Sequence, residues 1–415
     1  MNVYVAEYLA EMNRNIYKKL EDKDYSSSGP LEAHAFQNAT IKPPIHPSKE
    51  KNYDEHGPIF GFGGVYGEDG KYIAASEQTA VNMRKRLSGF RDMEPGQKVP
   101  FADETVMYGN FFIKQWGHFL LDVIGRLWYA LKNPSVKIVF TCYEGADLKI
   151  DGNYREFLSL LGIGADRIAV VNEPTRFRNV IVPDSSIVPG SHYTREYLDM
   201  MDAVIAGAGL PAVRKGRKIF CSRQMLGKTS LNEFGEETVE SVFLQNGYQP
   251  VYMERLSLRE QIAVLNSSEE IAMVCGSLSH NLLFVRNGNR ACILNKTYRV
   301  NLHQFLINGV SASKAVFVDA FVSPLPVLYG YGPFIMRPTD QFLAFAAGNG
   351  MTASHIDQTV PLPLRMKYYV RYAKFYRRYF FKGKKIRETD NQELEPSFRT
   401  VRAAYSAYLK NARKT

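Results

Sequence analysis

The stretch Glu269–Lys296, EEIAMVCGSLSHNLLFVRNGNRACILNK, limits what this chain can fold into more than any other. Ile271 to Cys275 is an unbroken apolar run, the pattern of a fully buried strand. Gly276, Ser277 and Ser279 then form a turn of small residues. His280 and Asn281 open a predicted helix, and Ala291 to Leu294 reads as a second buried strand. A buried strand, a small-residue turn and a helix N-terminus together make an anion site. Free backbone N–H groups and the positive end of the helix dipole face whatever lies beyond the strand. In an open α/β sheet that is where ligands bind. The alternative is an ordinary strand–helix turn, because the run is neither a Walker A loop nor GxGxxG.

A chain of 415 residues predicts two domains. A hydrophobic content of 45% with 23% charged residues is that of a globular protein. Tyr and Phe, 25 of each, suit carbohydrate or membrane-surface contact as well as a core. The four cysteines, Cys142, Cys221, Cys275 and Cys292, form no CxxC and no zinc spacing. The expectation is therefore no metal, and reduced, buried thiols in a cytosolic protein. The start of the chain does not resemble a signal peptide, and no apolar run is long enough for a membrane span. Arg365 to Arg387 carries ten Lys and Arg and no acid, which equals the whole net charge of +10. One local basic element, rather than a surface that coats nucleic acid, is expected.

Strand and helix patterns alternate from about residue 136 to 321, as in α/β proteins. Residues 2–20 read as a helix, 21–57 as a polar arm, and Pro58–Tyr66 and Tyr72–Ala75 as strands. After Gly117 a helix is predicted in which His118, Asp122 and Arg126 recur at i, i+4 and i+8 on one face. A polar stripe on an apolar helix is costly unless its groups are paired or face a cleft. It reads either as a local pair that orients the helix or as a general base with its partner. Residues 207–217 read as a hinge. Strands at Lys218–Ser222 and Gln249–Met253 and helices at Phe234–Asn246 and Ser257–Leu265 lead into the opening stretch. The dinucleotide fingerprint is missing, so NAD and FAD are not expected. The aromatic and basic segment 364–387 suits either an anionic membrane surface or packing across both domains, and nucleic acid less well.

Several short motifs occur in a fixed order. Gly109–Asn110 precedes His118-x-x-x-Asp122. Ser222–Arg223 ends a strand, with Lys228, Asn232 and Glu233 before the next helix. Glu254-x-Leu256–Ser257-x-x-Glu260–Gln261 and the Gly276 turn follow. Over roughly residues 105–300 this order resembles the glycosyltransferase family 61 domain. Many members carry H-G-A-G-x-T-N at the central turn. Here Cys275 stands in place of the His, Leu278 in place of the second Gly, and His280 is displaced toward the helix. The resemblance implies a GT-B-like α/β fold, with two Rossmann-like domains facing a cleft and C-terminal helices crossing back. The expected divisions are 1–57 (helix and arm), 58–210 (acceptor domain), 211–335 (donor domain) and 336–415 (helical, basic and aromatic).

It further implies an inverting, metal-independent transfer from a nucleotide sugar, a UDP-sugar first, to a saccharide or lipid-linked glycan in surface or capsular polysaccharide synthesis. No other cofactor is implied. The expected place is the cytoplasm, with contact to the inner face of the membrane as one reading of 364–387. Asp122 or His118 is expected to act as base. Arg223, Lys228 and the turn Gly276, Ser277, Ser279, His280 and Asn281 are expected to meet the leaving diphosphate. Ser222 and His280 would bind phosphate or ribose, with Asn232 and Glu233 shaping the loop. The plainer roles are an Arg223–Glu233 ion pair and a helix cap at Asn232. A non-catalytic polysaccharide-binding or scaffold protein on the same fold is the competing class.

Overall fold

A computed structural model describes residues 6–47, 57–79, 85–89, 92–93, 98–227, 232–325, 327, 332–353 and 358–381. Lys228, the predicted helix at 396–412 and the basic run beyond residue 381 lie outside the described residues. The chain divides into two compact units. One holds residues 24–210 and 257–263; the other holds 1–23, 211–256 and 264–415. Both are α/β.

The first unit is built on a seven-stranded mixed sheet. Its strands are β1 (Ala33–Gln37), β2 (Thr40–Lys42), β3 (Gly64–Tyr66), β4 (Phe101–Phe111), β5 (Lys137–Thr141), β6 (Ile168–Val171) and β7 (Thr175–Pro183). The order is β3-β2-β7-β4-β5-β6, with β1 also paired to β7. β7, β4, β5 and β6 run parallel, and β1, β2 and β3 are antiparallel additions. Val106, Tyr108, Val139, Val180 and Val182 are among its buried core residues, the β-branched and aromatic content that suits a covered sheet.

The second unit carries a five-stranded, all-parallel sheet. Its strands are β8 (Arg214–Cys221), β9 (Gln249–Val251), β10 (Ser268–Val274), β11 (Arg290–Asn295) and β12 (Lys314–Asp319). The spatial order is β9-β8-β10-β11-β12, that is 2-1-3-4-5 in chain order. This is a doubly wound order, and its direction reverses between β8 and β10. Ala272, Val274, Leu294 and Val318 pack with Phe220, Phe243, Phe342 and Phe345 to form its core. The helix Leu362–Phe381 buries Tyr368 and Tyr372 against Leu325, Val327, Phe334 and Ile335 of the same unit.

Several local expectations are corrected. The predicted helix 2–20 is a 3₁₀ turn at Ala6–Tyr8 followed by an α-helix at Glu11–Glu21. Of Pro58–Tyr66 only Gly64–Tyr66 is strand, and Tyr72–Ala75 is reduced to a lone bridge and a 3₁₀ turn at Ala74–Ser76. Gly61, Gly63 and Gly64 pass so near neighbouring backbone or side chains that a Cβ would not fit, and Gly61 and Gly64 have positive φ, which interrupts a regular extended run. Arg214–Arg217, read as hinge, already belongs to β8. The helix predicted from His280 is a six-residue 3₁₀ segment, Ser279–Phe284. Its first turns are used up locally. Ser279 N–H donates to Gly276 O at 3.0 Å, Asn281 N–H to Leu278 O at 3.1 Å, and Gly276 N–H to Ser279 Oγ at 3.0 Å. A helix dipole with a row of free N–H groups is therefore not built there.

Candidate functional site

Two constellations stand out, one in each unit. In the first unit the predicted helix after Gly117 is divided. Trp116–His118 is α, Phe119–Val123 is π, Ile124–Arg126 is 3₁₀ and Leu127–Lys132 is α again. A π-turn widens the ring and releases carbonyls from the usual ladder. Here they are taken by side chains. Asp122 O accepts from Gln78 Nε2 at 2.9 Å and Asn110 Nδ2 at 3.4 Å, and Val123 O accepts from Asn110 Nδ2 at 3.1 Å.

Asn110 can do this because β4 is irregular between Tyr108 and Phe111, and Asn110 itself has φ +86°. Asn tolerates that left-handed geometry better than most residues. The preceding Gly109 has no room for a side chain, since a Cβ there would meet Ile138 Cγ2 at 2.7 Å. The Gly-Asn pair is thus a clamp on the π-turn, set on the preceding strand and bonded to carbonyls 12 and 13 residues further along the chain.

Across the start of that turn His118 Nδ1 and Asp122 Oδ2 lie 2.6 Å apart. Asp122 Oδ1 is met by Arg86 Nε at 3.2 Å. The Asp122 side chain is 2% exposed and that of His118 is 34% exposed. The imidazole stands edge-on to Phe60 with ring centroids 5.4 Å apart. Among the described residues no bond is made to His118 Nε2, so one ring nitrogen is held by a buried carboxylate and the other is open. Arg126, expected on the same stripe, is turned inward instead. It donates to Asn110 Oδ1 at 2.6 Å, Ala75 O at 2.8 Å, Glu77 O at 3.2 Å and Pro183 O. Burial holds its guanidinium below the usual Arg range. The change of helical pitch at residues 119–123 is what separates it from His118 and Asp122.

In the second unit the predicted residues gather at the carboxyl ends of β8, β10 and β11, at the point where the strand order reverses. The register pairs Cys221 with Met273 and Val274 with Leu294. Ser222–Arg223, Cys275–Gly276 and Lys296 therefore lie side by side just past the sheet. Gly276 has φ +146°, and a Cβ on it would sit 3.9 Å from Lys296 Nζ.

Arg223 is 7% exposed and doubly paired. Its Nη2 is 2.6 Å from Glu233 Oε2 and 2.6 Å from Glu236 Oε2, its Nε donates to Glu236 Oε2 at 3.0 Å, and its backbone N–H donates to Glu236 Oε1 at 3.0 Å. The second oxygen of Glu233 is 2.7 Å from Lys296 Nζ. That ammonium also lies 4.9 Å from the centre of the Phe334 ring. Burial works against all these charges, yet the two cations hold Glu233 below the usual carboxylate range. The two carboxylates in turn outweigh burial and hold Arg223 above its usual range. Burial pulls Lys296 down, with Glu233 opposing.

The other predicted residues are placed as follows. Ser222 Oγ donates to Glu240 Oε2 at 3.0 Å; burial pushes that carboxyl up and the hydroxyl opposes it. Asn232 Oδ1 accepts from Arg371 Nε at 2.8 Å, so it ties the helix Leu362–Phe381 rather than capping its own. Ser279 Oγ lies 2.6 Å from Gln304 Oε1. His280 and Asn281 are buried, with Asn301 Nδ2 3.5 Å from His280 Nε2, and Ser277 stands in the turn.

A groove of about 750 Å³ opens on this network. Arg223, Glu233 and Glu236 lie on one wall, and Met366, Val370 and Lys367 of the helix on the other. Sequence reasoning did not single out Lys296, Glu236 or Arg86 as site residues. For Lys296 a signal existed: it directly follows a buried strand that ends beside the Gly276 turn.

Among the described residues no group of three or more His, Cys, Asp or Glu is placed to hold a metal ion. All four cysteines are free and buried. No curated protein matches the chain at a significant level. Residues 116–293 match the family model Glycosyltransferase 61, a span that contains His118–Asp122 and Arg223–Glu236 and ends three residues before Lys296, and this match supports a glycosyltransferase.

Proposed function

We propose that the protein transfers a sugar with inversion from a nucleotide-sugar donor to a saccharide or lipid-linked glycan acceptor, without a metal ion. The observation that carries this reading is the His118–Asp122 pair at the π-turn inside the matched segment, with Arg86 from outside that segment meeting Asp122. Inversion needs a base for the acceptor hydroxyl in a single displacement. An imidazole fixed through Nδ1 by a buried carboxylate presents Nε2 for that proton. Asp122 has both oxygens engaged, which supports His118 as the base and Asp122 as its positioning residue. Arg86 Nε meets the other oxygen of Asp122 and helps fix the orientation of the carboxylate.

In the second unit Arg223 and Lys296 lie at the switch point of a doubly wound sheet, where ligands of such sheets bind. There they suit a leaving diphosphate, and a UDP-sugar is the first donor to try. The reading includes the GT-B arrangement. It places the enzyme in surface polysaccharide synthesis, in the cytoplasm and against the membrane.

The test is donor turnover, by hydrolysis or transfer to a glycan, in the intact chain and in His118→Ala and Asp122→Asn. His118→Ala is expected to lose on the order of 10²–10⁴-fold in kcat. Asp122→Asn, with the imidazole kept but its carboxylate gone, is expected to lose somewhat less. Turnover equal to wild type in a folded His118→Ala protein removes the base assignment. No turnover of any donor by wild type favours a non-catalytic glycan-binding role.

A further inference from the structure

We propose that Glu233 is a displaceable counter-ion. It stands in for the donor's diphosphate between Arg223 and Lys296, and it leaves when the diphosphate arrives, which makes Lys296 a binding residue. This rests on the nucleotide-sugar reading above and adds how its site is kept and opened.

Three features point to it. First, one carboxylate bridges both cations, an oxygen to each, at 2.6 and 2.7 Å. That is the spacing with which two oxygens of a diphosphate would meet them. Secondly, the two acids that touch Arg223 are held very differently. Glu236 begins the helix Glu236–Gln245 and is tied to both the side chain and the backbone N–H of Arg223. Glu233 sits on a two-residue strand, Glu233–Phe234, and among the described residues its carboxylate pairs with the two cations alone. Thirdly, Glu233 lines the groove while Lys296 does not. An anion entering from the groove meets Glu233 before it meets Lys296. The two cations and two acids sum to zero, so the buried network is neutral as it stands. A buried lysine left without a partner would be costly, which accounts for a protein carboxylate being kept there.

The experiment is calorimetric titration of the full chain with inorganic pyrophosphate, and in parallel with UDP. Glu233→Gln is expected to bind pyrophosphate about 10-fold more tightly than wild type, because the internal competitor is gone. Glu237→Gln removes an exposed acid from the same groove wall and is expected to change affinity by less than about twofold, since its charge is screened by solvent. Lys296→Met added to Glu233→Gln should abolish the gain and restores the neutral count. Should Glu233→Gln fold poorly, Glu233→Asp keeps the charge, shortens its reach, and is expected to shift affinity in the same direction by less.

An unchanged or weakened affinity in folded Glu233→Gln, or an equal gain in Glu237→Gln, overturns the counter-ion role. UDP binding by wild type with no gain in Glu233→Gln would leave the nucleotide-sugar reading standing and remove the counter-ion. A Lys296-dependent pyrophosphate gain with no nucleotide bound by any variant would do the reverse.

Discussion

Single residues carry different burdens in this protein, and the polar ones divide by what they touch. His118 and Asp122 form a pair with one open nitrogen, whereas Arg126, four residues on, gives its hydrogen bonds to buried carbonyls and Asn110. Under the proposed function the first pair handles the acceptor's proton. The second is a structural pin, because the carbonyls it satisfies would otherwise be buried without donors. Asp319 is a third case. It ends β12, accepts from Ala10 N–H and Asn295 Nδ2, both at 2.8 Å, and is 2% exposed. Burial pushes its pKa up to about 6, with those two bonds opposing.

The folded value therefore lies above the unfolded one of 3.8. Its contribution to stability is complete below the unfolded value and is lost as pH rises through about 6. Between pH 7 and pH 5 this single group should add on the order of 1 kcal/mol of stability. Urea unfolding of wild type and Asp319→Asn at the two pH values checks it, and the gain is expected in wild type only.

At the scale of elements, irregular helices do the positioning. The π-turn Phe119–Val123 is held by Asn110 and Gln78, and the 3₁₀ segment Ser279–Phe284 closes on its own backbone. The helix Leu362–Phe381 is regular, and its two faces differ. Tyr368 and Tyr372 are buried in the core, while Leu362, Met366 and Val370 are exposed at a spacing of four residues, among Arg365, Lys367 and Lys374. Acidic residues are absent from this helix. Met366, Lys367, Val370 and Lys374 of this face also line the groove, and an exposed face of that composition would suit the headgroup region of an anionic bilayer. Charge reversal at Arg365, Lys367 and Lys374 is expected to lower co-sedimentation with phosphatidylserine vesicles by at least about 10-fold, each charge contributing about 1 kcal/mol. Equal sedimentation of the reversed protein would remove membrane contact through this helix. None of the described helices is long and apolar enough to cross a membrane.

For the whole molecule, the expected ligand site is in the second unit, whose 2-1-3-4-5 sheet offers a switch point between β8 and β10. A panel of UDP, GDP, CMP, ADP and dTDP, each with and without Mg²⁺ or Mn²⁺, should show one nucleotide that raises the melting temperature in the absence of metal. At about 100 times Kd a ligand stabilises by about 2.7 kcal/mol, which a thermal scan detects. A shift that requires metal would overturn the metal-independent reading, and no shift from any nucleotide would count against a nucleotide-sugar donor.

Much of the sheet was legible in the sequence. Ile168–Val171 is a strand at the residues read, and the two buried runs around Gly276 pair as β10 and β11. Short apolar runs bounded by turns admit few other conformations. The His118–Asp122 pair was legible for the same kind of reason, since a spacing of four survives in either an α- or a π-turn.

What the chain alone determined was local: which segments bury apolar side chains, with what period, and which polar residues interrupt them. Tertiary structure decided the rest. It chose the order of strands, and so where the switch point falls. It widened the helix at residues 119–123, because Asn110 and Gln78 could take the freed carbonyls. It brought Lys296 against Glu233, 63 residues apart in sequence, and it left Arg223 buried between two acids. No period in the sequence encodes such a meeting, because each ion's environment is set by partners that only folding brings within 3 Å or so, where burial makes the pairing matter.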